Sequence, residues 1–252
     1  MKKFVLWVLS FSLTAILVTS CAAAPVTLMP RPSPIPPTSN SALRPTHQAS
    51  ESPIPILVPP FYYSNEMQIY VGNYSDRLGT TDLEELTALA QEMAEKKIEL
   101  MPEQMFVLAI RLYDLGDKDN SVYWFYEAQF RSKLFLKTLD SAHIGSQGDV
   151  SYDLVRQYGA FTKLAGTFIN GYAGCDVDNW VKIATTVQND NPKPPQLDKL
   201  FPEVIFVEHS QWQSINDDVA AGLGVLIDQL SQQKEAIKQQ RAEKNQDARF
   251  CK

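Results

Sequence analysis

The sequence predicts an all-α fold: one irregular helical domain with a short extended arm at its N-terminal edge. Three observations carry that expectation. Apolar residues recur at spacings of three and four in the long segments between residues 81 and 230. Pro102 and Gly116 stand where helices open and close. Strand character is confined to two short runs, residues 61–72 and 204–207.

The chain divides before its elements are read. Of 252 residues, 1–20 have the form of a removable secretion signal and 21–60 the form of a tether. Residues 61–252, about 190 in all, are enough for one core. Losing residues 1–20 removes Lys2 and Lys3 and no acid, so 21 Lys and Arg face 29 Asp and Glu, a net charge of −8. An acidic chain without a basic cluster argues against nucleic acid and against electrostatic adhesion to anionic lipid.

Lys2 and Lys3 precede an apolar run, residues 4–18, that is short for a membrane span. The run ends Leu17-Val18-Thr19-Ser20-Cys21. That ending resembles the bacterial lipobox: an aliphatic residue, two small ones, then Cys. The resemblance implies diacylglycerol on the Cys21 thiol, cleavage before it and acylation of the new amino terminus. The membrane is then a partner through N-terminal lipid. Ala22, rather than Asp, follows. In lipoproteins of this type that implies sorting to the periplasmic face of the outer membrane in a Gram-negative cell.

Eleven of the 16 prolines lie between Pro25 and Pro60. Proline-rich chain is extended, at ~3.1 Å per residue, so this stretch could span on the order of 100 Å and hold a domain away from a membrane. Residues 61–72, FYYSNEMQIYVG, then have the composition of a strand or an arm that lays aromatic rings on the domain.

Thr81-Asp82-Leu83-Glu84 has capping-box spacing, which starts a helix at Thr81 carrying Leu83, Leu86, Ala90, Met93 and Ala94. Pro102 opens the next helix, where its missing amide costs nothing. Met105, Leu108, Ala109 and Leu112 form its stripe, and Gly116 suits the left-handed residue that closes it. Asp117 or Asp119 caps a second helix with Val122, Phe125, Ala128 and Gln129 on one side. Residues 132–139 extend it.

Residues 102–136 resemble a tetratricopeptide-type repeat, closer to the Sel-like subclass. The matching residues are Leu108-Ala109, Leu112-Tyr113, Gly116-Asp117, Trp124-Phe125 and Ala128. The resemblance implies two antiparallel helices in close approach, with Phe125 filling the groove between them. Ser121 stands where the family usually has Ala, and no proline closes the unit near Lys133. Gly174 is the next comparable turn glycine, too far along for one repeat period. A tandem array, which needs about three units, is not expected.

Residues 145–149 read as a loop and 152–172 as a helix. Asp176 or Asp178 caps a helix reaching Val187, and NDNPKPP at 189–195 breaks the chain. Residues 204–207, VIFV, are a strand or a buried connector. Ser210 is expected to cap a last helix with Trp212, Ile215, Val219, Leu223, Leu226 and Leu230 on its stripe. From about residue 231 the polar chain reads as a solvated helix or a frayed tail.

Chemistry-bearing patterns are few. His143 and His209 are isolated, and Gly145-Ser146-Gln147-Gly148 is not a GxSxG elbow. Asp176-Val177-Asp178-Asn179 hints at calcium, but an EF-hand needs Gly and Glu where Val181 and Val187 stand. No catalytic, cofactor-binding or metal-ligating set is expected. With Cys21 lipidated, Cys175 and Cys251 remain in a compartment that permits disulfides. A Cys175–Cys251 bridge pinning the C-terminal tail to the domain is expected, with two free thiols as the alternative. Tyr123-Trp124-Phe125-Tyr126 cannot all face one core on a helix, because neighbours point ~100° apart. Tyr123, Trp124, Tyr126 and Phe130 are therefore candidates for a partner-binding face, with burial against neighbouring segments as the alternative.

These features together point to a non-enzymatic, lipid-anchored periplasmic protein that binds another protein or assists the envelope. One version is an immunity protein against a periplasm-acting toxin, a role known among Sel-like repeat proteins. The competing class is an envelope hydrolase built from scattered residues, such as His143 or His209 with Asp149 or Asp153.

Overall fold

A computed structural model describes residues 54–56, 67–69 and 71–252. The expected signal, Cys21 and most of the tether lie outside the described residues. The domain is all-α, as its periodicity predicts. No described helix is long and apolar enough to cross a membrane.

The arm is a two-stranded antiparallel ribbon. β1 (Ile54–Ile56) pairs with β2 (Met67–Ile69), with Pro55 opposite Gln68. β1 thus belongs to the domain, although residues 54–56 were assigned above to the tether. Both strands of a two-stranded ribbon are edges, so a proline that would break an inner strand is tolerated.

Short α1 (Ser75–Leu78) leads to α2 (Leu83–Glu95). The cap of α2 is Asp82, one residue later than expected: its Oδ1 accepts from Glu84 N at 2.7 Å and Glu85 N at 3.1 Å. A carboxylate at the helix N-terminus serves two orphan amides and the helix dipole at once. Nearby, Thr80 donates its hydroxyl to Glu85 instead. α2 buries Leu86, Leu89, Ala90 and Met93.

α3 (Pro102–Leu115) has Pro102 at its first turn and Gly116 at φ +98° just past its end. Gln104 Oε1 accepts from Met101 N at 2.9 Å and supplies the cap. Every residue from Pro102 to Leu112 is buried, Glu103 and Arg111 included. α4 (Lys118–Thr138) then runs back along α3, the most extensive helix contact in the domain.

α4 is the axle of the fold. α3 and α5 (Val150–Ala173) pack on it, as do α6 (Val177–Asn189) and α8 (Trp212–Gln232), which also pack on each other. A helix flanked on so many sides has almost no solvent face, and its sequence shows only weak amphipathicity for that reason. The caps of α5 and α6 are Asp149, accepting from Ser151 N, and Asp176, accepting from Asn179 N.

Aromatic rings tie these layers together. Phe106 lies 5.2 Å from Phe161 in a stacked pair, and 5.9 Å from Phe125 edge-on. Tyr158 then meets Phe135 at 5.5 Å, and Phe135 meets Phe201 at 4.8 Å and Phe206 at 5.7 Å. Phe206 in turn contacts Trp212 at 5.7 Å. Such edge-to-face pairs add to their area burial.

Residues 204–207 form a connector rather than a strand. They follow α7 (Leu197–Leu200), and Phe206 makes an isolated bridge with Leu139. Ser210 does not cap α8. It lies inside a 3-10 turn, His209–Gln211, that runs straight into the helix. The C-terminal stretch is neither solvated throughout nor frayed. α9 (Lys234–Glu243) and α10 (Asp247–Phe250) fold back onto the end of α5, burying Arg241 and Phe250.

Candidate functional site

Of the four rings expected to face a partner, three are inside. Trp124 is 3% exposed, Tyr126 6% and Phe130 3%. Tyr126 packs against Phe125 and Trp180, and its hydroxyl donates to Asn170 Oδ1 at 3.1 Å. The expectation of a partner-binding face on Trp124, Tyr126 and Phe130 is corrected accordingly. Consecutive aromatics cannot share one core, but α4 has a neighbour in each direction they point.

Tyr123 is half-buried and belongs to a different arrangement. It opens a polar stripe on α4, Tyr123, Glu127 and Arg131, spaced at four and so on one face. Glu127 is fully buried and Arg131 is 4% exposed. Three other segments deliver their partners. Lys97, from the 3-10 turn after α2, places Nζ 3.5 Å from Glu127 Oε2 and 3.4 Å from Asp190 Oδ2. Asp190, at the end of α6, accepts from the Tyr123 hydroxyl at 2.7 Å. Asn191 donates to Glu127 Oε2 at 2.9 Å, and Asn216 of α8 donates to Asn191 O at 2.9 Å. Arg131 Nη2 donates to Lys97 O at 3.2 Å, and its Nε lies 3.8 Å from Glu127 Oε1.

Burial pushes the Glu127 carboxyl up, while Lys97, Arg131 and Asn191 pull it back. Burial pushes Arg131 down, and Glu127 opposes that. Desolvation also pushes Tyr123 up, reinforced by Glu127 and Asp190. Two cations thus face two carboxylates, which keeps the buried cluster near neutrality. Its chemistry is cross-linking: one polar stripe ties the turn after α2, the end of α6 and α8 to the axle. A second buried pair, Tyr158 donating to Glu103 Oε2 at 2.8 Å, joins α5 to α3. Burial raises that carboxyl as well.

Neither histidine meets the aspartates considered with it. His143 pairs with Asp140 at 2.9 Å, and His209 with Asp198 at 3.4 Å while packing on Trp212. Asp149 is occupied as a helix cap, and Asp153 accepts from Gly148 N at 3.3 Å. Asp178 pairs with Lys234, and Asp176 caps α6. A groove beside α5 is lined by Gln147, Tyr152, Asp153, Arg156, Gln157 and Ala160. Within it, Arg156 lies over the Tyr152 ring at 5.7 Å.

The two cysteines of the domain are joined. Cys175 follows the end of α5 and Cys251 follows α10, and their Cα atoms are 5.8 Å apart. The bond closes a sequence separation of 76 residues.

No family model matches the chain, and no solved structure matches it. Over 84 residues it is 34% identical to an uncharacterised protein of Haemophilus influenzae. That stretch is 33% of this chain and spans 30% of the relative's own length.

Proposed function

We propose that this chain is a lipid-anchored periplasmic protein of the outer membrane whose helical domain binds another protein. The observation that carries the reading is the ending Leu17-Val18-Thr19-Ser20-Cys21, followed by the proline-rich stretch. The cysteine count supports it. Once Cys21 is assigned to lipid, the two that remain sit at bonding distance in the domain. A disulfide of this kind persists in oxidising compartments such as the periplasm and is rare in the cytosol. The repeat-like hairpin, α3 and α4, supplies the scaffold expected of a binding module. With Trp124, Tyr126 and Phe130 committed to the core, the partner surface belongs to other parts of the domain.

Cell fractionation tests the anchor. Wild-type protein is expected in the outer-membrane fraction, and Cys21→Ser in the soluble or inner-membrane fractions. Retention of Cys21→Ser in the outer membrane would contradict the proposal. Crosslinking in live envelopes tests the partner, with a defined protein recovered from wild type and lost in Cys21→Ser.

A further inference from the structure

The C-terminal clasp carries more than a cross-link. Cys175 and Cys251 are both exposed residues at the surface of the domain. Beneath them lies Arg241, itself only 6% exposed. Its Nη2 donates toward Cys175 Sγ at 3.2 Å and Cys251 Sγ at 3.3 Å. The guanidinium is fixed on its other edges, by Gly171 O at 2.9 Å from Nη1 and Asp247 Oδ1 at 2.8 Å from Nε.

A disulfide sulfur is a weak acceptor, whereas a thiolate takes a strong, charge-assisted bond. A buried arginine aimed at both sulfurs therefore favours the reduced pair over the oxidised one. It also makes the departing sulfur a better leaving group.

The clasp is seated by contacts other than the disulfide. A Cβ at Gly171 would lie 2.6 Å from the Phe250 ring, and one at Gly174 would lie 2.5 Å from Arg241 Nη1. The two glycines leave room at the end of α5 for these two side chains. Arg241 and Phe250 are thus seated on the end of α5 by contacts that do not run through the sulfurs.

We propose that Cys175–Cys251 is a thiol–disulfide exchange site, with a dithiol, free or on an oxidoreductase, as its reaction partner. One thiolate of the dithiol attacks Cys251 Sγ, forming a mixed disulfide as the Cys175–Cys251 bond breaks. Cys175 leaves as a thiolate held by Arg241. Attack there keeps the new charge off Cys251, whose sulfur contacts the Asp247 carboxylate at 3.5 Å. The second thiol of the dithiol then attacks the mixed disulfide, releases Cys251 and closes its own disulfide. Two electrons and one proton, the proton going to Cys251, pass from the dithiol to the pair. The other proton is lost to solvent when the attacking thiol ionises, and the reverse sequence re-oxidises the pair.

Two measurements on the mature chain decide the matter. In buffers of reduced and oxidised dithiothreitol, Arg241→Gln is expected to need about a tenfold higher reduced-to-oxidised ratio for half-reduction, read by alkylation. Half-reduction at the wild-type ratio or below would overturn the proposal. The second uses Cys251→Ser, which keeps Arg241 in place. The ultraviolet absorbance of its Cys175 thiolate should titrate below about 8.5, the value of a free cysteine. Titration at or above 8.5 would overturn the proposal even if Arg241→Gln failed to fold.

Discussion

Glu127→Ala is expected to destabilise the domain by about 3–5 kcal/mol, because it leaves buried cations without their shared carboxylate. Glu127 is fully buried, and Lys97 and Arg131 side chains are 15% and 5% exposed. Asp190 remains near Lys97, but Arg131 loses the one carboxylate it pairs with among the described residues, and Asn191 loses an acceptor. Urea denaturation followed by circular dichroism reads the effect as a fall in midpoint. Glu127→Met combined with Arg131→Met should be far less harmful than either alone, since both charges of that pair leave together. By contrast, breaking the exposed Arg77–Glu92 pair should leave the midpoint nearly unchanged. A Glu127→Ala midpoint equal to wild type would mean that the stripe is solvated rather than buried.

Phe106→Ala is expected to cost about 3–5 kcal/mol, the range for emptying a fully buried aromatic site. Phe106 is 0% exposed and touches Phe125, Tyr158 and Phe161, so its loss opens a cavity where α3, α4 and α5 meet. Leu136→Ala, at a side chain 40% exposed on the last turns of α4, is the matched control and should change stability by less than about 0.5 kcal/mol. The same denaturation curves separate the two. Equal midpoints for Phe106→Ala and wild type would remove α3 from the core.

The parts of the fold that were legible in the chain are those encoded by local backbone chemistry. Pro102 and Gly116 mark the hairpin because one lacks an amide and the other tolerates φ +98°. Asp176 and its neighbours marked the start of α6 for the same local reason. Local rules also set the error at α2. Thr81 and Asp82 both fit a cap, and the carboxylate took the amides. The α4 aromatics were harder. Their spacing showed that no single core could hold them, but it could not show how many helices surround α4. Only the placement of α5, α6 and α8, set by long-range packing, resolves that.

The polar stripe had a partial signal. Tyr123, Glu127 and Arg131 fall at four-residue spacing, which places them on one face of the helix, a pattern that solvated faces share. Its partners Lys97, Asp190, Asn191 and Asn216 come from distant segments, and nothing local links them. The clasp is similar. Cysteine counting brought Cys175 and Cys251 together as one of two alternatives. Arg241 and Phe250 looked like parts of a polar tail, and their roles follow from the glycine surfaces of α5.

Mass spectrometry of unreduced peptides from envelope-purified protein tests the proposed function most directly. The account predicts an N-terminal peptide that begins at Cys21 and carries lipid, together with a linked Cys175–Cys251 peptide pair. A chain that still begins at Met1 with Cys21 unmodified would contradict it.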